Sequence, residues 1–126
     1  MTARVPFEYV VLRVVPRVER GEFINAGVIV YSQAAQFLGA RVHLDRARLA
    51  AIDPSADADA IDAALRAAAD TCAGDGPAAD EQIGRRFRWL VAPRSTVVQP
   101  GPVHTGLTVD PEIELTRLLD VLVHAT

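Results

Sequence analysis

The chain contains no lysine and one cysteine, and aromatic residues make up only 6% of it. A single thiol, Cys72, excludes an internal disulfide framework and cannot furnish a cysteine-based metal site alone. No apolar run approaches the ~20 residues that a membrane span needs. Met1 to Phe7 lacks the basic start and apolar middle of a secretory signal, so a cytoplasmic protein with no membrane partner is expected. The three histidines, His43, His104 and His124, are dispersed. Asp57-x-Asp59-x-x-Asp62 lacks the glycine and closing glutamate of a calcium loop. Those aspartates suit the first turns of a helix, where negative charge is favoured, and neither metal nor cofactor is expected.

With lysine absent, all 13 basic residues are arginine, set against 16 acids for a net charge of −3. Residues 45–81 hold nine acids against three arginines, a balance of −6, and the remainder carries ten arginines and seven acids, a balance of +3. Arginine suits bidentate contact with carboxylate or phosphate. The abundance of alanine, valine and aspartate gives a simpler account of the bias, GC-rich coding. A length of 126 residues, half of them apolar, fits one domain spanning 1–126 with a single core.

The chain is organised around residues 5–31, two β-branched and aromatic runs separated by Pro16, Arg17, Glu19, Arg20, Gly21 and Glu22. In Phe7 to Val15 both alternating faces are largely apolar, which predicts an interior strand. Phe23 to Tyr31 predicts a second strand, with Ile24, Ala26, Val28 and Val30 on one face and Asn25, Gly27, Ile29 and Tyr31 on the other. Gly27 marks a bulge or a close approach of another backbone or a ligand. Ser32 to Gln36 is a polar turn and Phe37 to Leu44 a third strand, completing an antiparallel meander.

Asp45 can cap a short helical turn that Asp53-Pro54 breaks. From Asp57 the period lengthens: Ile61, Ala64, Leu65, Ala68 and Cys72 form one helical stripe, stopped by Gly74 and Gly76. Cys72 on that stripe reads as a small buried hydrophobe. Asp75 to Gln82 is a solvated connection. Arg85 to Val91 alternates Phe87, Trp89 and Val91 against Arg86, Arg88 and Leu90, which predicts a strand with Trp89 in the core. Ser95 to Gln99 reads as another extended piece, within a stretch that Pro93, Pro100 and Pro102 keep from being helical. Asp110 as cap, Pro111 at the first helical position and the apolar series Ile113, Leu115, Leu118, Leu119, Leu122 and Val123 predict a final helix lying on the sheet. The expected fold is α+β: a mainly antiparallel sheet, an N-terminal three-stranded meander plus one or more C-terminal strands, covered by an Ala-rich middle helix and a C-terminal amphipathic helix.

Tyr9-x-x-x-Arg13-x-x-Pro16, then Arg20-Gly21-Glu22-Phe23-x-Asn25-x-Gly27-Val28, the run A-P-R-S-T-V-V-Q-P-G-P-V-H-T-G and the closing D-P-x-x-E-L-x-R-L-L together resemble the bacterial domain of unknown function 3037 family. The resemblance spans Phe7 to Val123. It implies a small cytoplasmic protein with no established activity, often encoded beside a HipA-like kinase.

Three constellations can carry chemistry. Arg13, Arg20, Glu22 and Asn25 can meet an anion or an acidic side chain, or can simply fix the turn. Arg94, Ser95, Thr96, Gln99 and His104, on a proline-stiffened loop, can face a phosphate, although no Walker-type cradle or activated nucleophile accompanies them. Arg85, Arg86, Arg88 and Arg94 interleave with Phe87 and Trp89 as in a single-strand platform, but strand alternation turns the rings from the arginines and the chain is acidic, so nucleic acid is not an expected partner. The absence of any complete catalytic set favours a non-enzymatic interaction or accessory module, with a HipA-like kinase as the implied partner. The alternative is an enzyme or binding domain for a phosphorylated small molecule or nucleotide, which needs Arg20, Glu22, Asn25, Arg94 and His104 in one cleft. A short sheet also leaves an edge strand through which a homodimer can form.

Overall fold

A computed structural model describes residues 3–76 and 78–124. Met1 and Thr2, read above as part of an opening without signal character, and Pro77 of the solvated connection lie outside the described residues. Five strands, β1 (Val5–Val14), β2 (Ile24–Ser32), β3 (Phe37–Val42), β4 (Val98–Pro100) and β5 (His104–Thr108), form one antiparallel sheet. Among the described residues four helices accompany them: α1 (Arg46–Ile52), α2 (Ala58–Ala73), α3 (Ile83–Leu90) and α4 (Pro111–Leu122). The fold is α+β, and the N-terminal meander is there in the order β3-β2-β1.

β1 is interior because both of its edges are used. β2 runs along one side, while the other is shared, β5 pairing Val5–Tyr9 and β4 pairing Leu12–Val14. The two apolar faces of β1 therefore feed two cores. Val10, Leu12 and Val14 pack with Leu49, Leu65, Cys72, Phe87 and Leu90 beneath α1, α2 and α3. Phe7 packs with Val28, Val30, Leu115, Leu118 and Leu119 beneath α4.

The faces of β2 differ from strict alternation. Leu12 pairs with Gly27 and Arg13 with Asn25, so Ala26 is the extra residue of a bulge. Ile24 and Ala26 face the α2 core, and a side chain at Gly27 would meet Leu12 and Val42 on that same side. Past the bulge the phase is reversed: Ile29 and Tyr31 face α2 and α3, while Val28 and Val30 face α4. Ile24, Ala26, Val28 and Val30 thus do not share a face, because one inserted residue moves every later side chain across the sheet.

Ile83–Leu90 is the helix α3, where the alternation from Arg85 to Val91 predicts a strand. Phe87 and Leu90 are buried and Ile83 half-buried, the i, i+4, i+7 set of one helical stripe. The two-residue spacing of Phe87, Trp89 and Val91 imitates a strand only because Trp89 is apolar yet faces outward, 58% exposed. It is not a core residue. The other helix ends follow their caps: Asp45, Asp57 and Asp110 accept backbone N–H bonds from Arg48, Ala60 and Glu112, and Gly74 closes α2 at φ 87°.

Candidate functional site

On the α2 side a groove of about 500 Å³ runs between α2 and the segment that leads into β4. Its floor is Leu12, Ile61, Leu90 and Val98, and one wall is the small-residue flank of α2, Ala60, Ala64 and Ala67. Alanine creates the space: larger side chains at these positions would close the gap between helix and loop. Trp89 and Arg94 form the opposite wall, with Thr96 and Pro16 at the end. Arg94 is fixed there by donating from Nη2 to the Trp89 carbonyl at 2.7 Å, and its guanidinium lies 5.6 Å from the indole centroid. It holds a C-terminal carbonyl of α3, a favourable place for a cation. Beyond Trp89 lies a second concavity lined by Arg85, Arg86 and Arg88 together with Glu81, which pairs with Arg85 at 3.7 Å. Arg86 spans α2 and α3, donating to the Cys72 and Glu81 carbonyls, while Arg88 reaches Glu8 of β1 at 3.1 Å.

The opposite face carries a different arrangement at the end of β1, beside the end of α4. Arg13 lies with its guanidinium 4.3 Å from the centroid of the Phe23 ring. On its other flank is the backbone of Gly101, where an added Cβ would stand 3.2 Å from Nε and 3.3 Å from Cζ. Arg13 Nε is buried without a hydrogen-bond partner. Asn25, its neighbour in register, donates to the Leu122 carbonyl at 3.1 Å and so anchors the end of α4. Beside that helix end the rings of His43 and His124 sit 4.7 Å apart.

The residues singled out in the sequence are therefore distributed. Arg94 lines the groove with Pro16 of the hairpin, and Ser95 is exposed next to it. Arg20 and Glu22 form an exposed pair at the hairpin tip, Nε to Oε1 2.6 Å. Their mutual hydrogen bond, then their charges, raise the guanidinium and lower the carboxyl from their ordinary values. Arg13 and Asn25 are on the α4 face, and His104 is stacked on Tyr9 at 5.1 Å. Of Arg20, Glu22, Asn25, Arg94 and His104, Arg94 lines the groove, and the other four line neither it nor the three next best-formed cavities. Sequence reasoning missed the alanine wall of α2 and the outward Trp89. The signal was present in the apolar set Ile83, Phe87 and Leu90, whose spacing is helical.

A single antiparallel sheet, clothed by α1, α2 and α3 on one face and α4 on the other, defines a small α+β domain, and no group of three or more His, Cys, Asp or Glu side chains that could hold a metal ion occurs among the described residues. The chain belongs to the family described as protein of unknown function (DUF3037), whose model matches residues 9–123. No curated protein and no solved structure matches it.

Proposed function

We propose that this domain is a non-catalytic interaction module, which seats a segment of a partner protein in the groove between α2 and the β4 approach. The observation that carries this is Trp89, a large aromatic side chain 58% exposed on the ridge between an apolar groove and an arginine-lined concavity. Tryptophan and arginine around an apolar pocket are the residue types that dominate binding energy at protein interfaces. The partner segment this fits places an apolar side chain against Ala64 and Leu12 and a carboxylate against Arg85 or Arg88, in exchange for their pairs with Glu81 and Glu8 within the chain. A depth lined by alanine, leucine and valine suits a protein side chain better than a phosphate backbone, which the acids of α2 would also repel.

The first candidate partner is the HipA-like kinase implied by the family resemblance, met in the cytoplasm. Co-expression of the two proteins followed by size-exclusion chromatography tests the pairing. The complex is expected to co-elute at micromolar concentration, and Trp89→Ala and Ala64→Arg, exposed positions on opposite walls of the groove, are expected to separate the peaks while leaving the domain folded. Separate peaks for the unaltered pair remove the kinase as partner. Co-elution that both variants leave unchanged removes the groove as the docking surface, and a larger species formed by the domain alone indicates self-association through a sheet edge.

No helix among the described residues is long and apolar enough to cross a membrane. The alternative of a phosphorylated small molecule held jointly by Arg20, Glu22, Asn25, Arg94 and His104 is less favoured, since Arg94 lines the groove without the other four.

A further inference from the structure

Arg13 differs from most arginines of this chain in what it touches. Arg17, Arg20, Arg41, Arg46, Arg66, Arg85, Arg88 and Arg117 each stand within ion-pair distance of a carboxylate. Among the described residues Arg13 makes no ion pair, although its side chain is half-buried and its Nε has lost water without gaining an acceptor. A partly desolvated guanidinium without a counter-charge is costly, and an anion from outside the chain can offset that cost through the nitrogens that stay accessible even though Nε itself is enclosed.

The geometry restricts what that is. One face of the guanidinium is covered by Phe23 at 4.3 Å and its flank is closed by the Gly101 backbone, which approaches so closely that an added Cβ would fall 3.2 Å from Nε. The ring of Phe23 is itself 44% exposed, so this stack lies at the surface and not in a sealed core. A planar guanidinium held face-on in this way offers only its edge, the two terminal nitrogens. That edge matches two oxygens of one oxyanion, a geometry lysine cannot supply. The neighbouring amides have other tasks, Asn25 bonding the Leu122 carbonyl and Gln99 the Thr96 carbonyl. Both amides, in register with Arg13 on the strands to either side, have their donors occupied, which leaves the cation as the recognising group.

We propose that Arg13, clamped between Phe23 and Gly101, is an anion-binding site for a bidentate oxyanion, a phosphate or a carboxylate. It lies on the α4 side of the sheet and is independent of the groove.

Inorganic phosphate and, separately, acetate titrated into ¹⁵N-labelled protein at constant ionic strength test it, the Arg13 Nε–H resonance being the readout. Saturable movement of that resonance with either anion is expected, and the anion that binds more tightly tells which chemistry the site prefers. Arg13→Lys keeps the charge and removes the fork, and is expected to weaken binding at least tenfold, the low end of what a charged hydrogen bond contributes. Gly101→Ala is expected to weaken it as well, whereas Arg20→Gln at the hairpin tip leaves it unchanged. Failure of the Arg13 resonance to move with both anions, or equal movement with sodium chloride, overturns the site. This measurement is made on the unaltered chain and stands even if a variant fails to fold.

Discussion

Cys72 is 3% exposed on the sheet-facing stripe of α2. Burial pushes its thiol up to about 12, outweighing the downward pull of the nearby Arg86 guanidinium. Thiolate, not thiol, is the nucleophile, so this cysteine is chemically silent in the folded protein. At pH 8 the native chain is expected to resist a thiol-reactive disulfide reagent that labels it fully in denaturant, a difference read by absorbance. The same shift has a stability consequence. Between the ordinary thiol value of 9.0 and about 12, the unfolded chain has released a proton that the folded chain retains. Stability therefore falls as pH rises through that window and is unaffected by this group below it. A chain that reacts at the same rate folded and unfolded contradicts the placement of Cys72 beneath α2.

At the scale of elements, the bulge in β2 decides which side chains meet which helix, and Gly27 is the residue that permits it. A methyl group there would lie 2.9 Å from Val42 Cγ1 and 3.0 Å from the Arg41 carbonyl oxygen, inside the β2–β3 pairing. Gly27→Ala is expected to cost about 1–3 kcal/mol, the usual range for overpacking a closed interior, measured by urea denaturation followed by circular dichroism. A variant as stable as the parent would mean that the strands separate there without cost. The oddness of Asn25 and Gly27 in a strand was legible from residue type alone, but its effect on phase was not, because the position of the extra residue is set by pairing with Leu12 and Arg13. The helices with an aspartate cap and a continuous apolar stripe, α2 and α4, were equally legible. α3 was not, since Trp89 adds an apolar residue to the solvent side and blurs the period, and the uncapped Gln82 gives no start signal. The short β5 was also missed. Its pairing with Val5–Tyr9 is a contact between chain ends that no local pattern announces.

For the whole molecule, the same logic explains why the groove escaped the sequence: Pro16, Ala64, Trp89 and Val98 come from four separate parts of the chain and meet only after the sheet has closed. Both layers of the domain are fastened to the same two strands, since Val10 and Leu12 of β1 and Ile29 of β2 enter one core while Phe7 of β1 and Val28 and Val30 of β2 enter the other. Neither face can be lost without exposing the back of the strands that serve its neighbour, so the two cores should melt together despite being on opposite sides. Leu65, fully buried on the inner side of α2, and Leu118, buried on the inner side of α4, probe the two sides separately. Leu65→Ala and Leu118→Ala are each expected to destabilise by about 2–5 kcal/mol, the range for emptying a buried leucine site. Each is expected to move one shared transition rather than split it, with circular dichroism and near-ultraviolet signals coinciding in urea. Because the two leucines share no partner, the double variant should show nearly the sum of the single losses. Two resolved transitions in either single variant would instead make α4 a separately detachable layer.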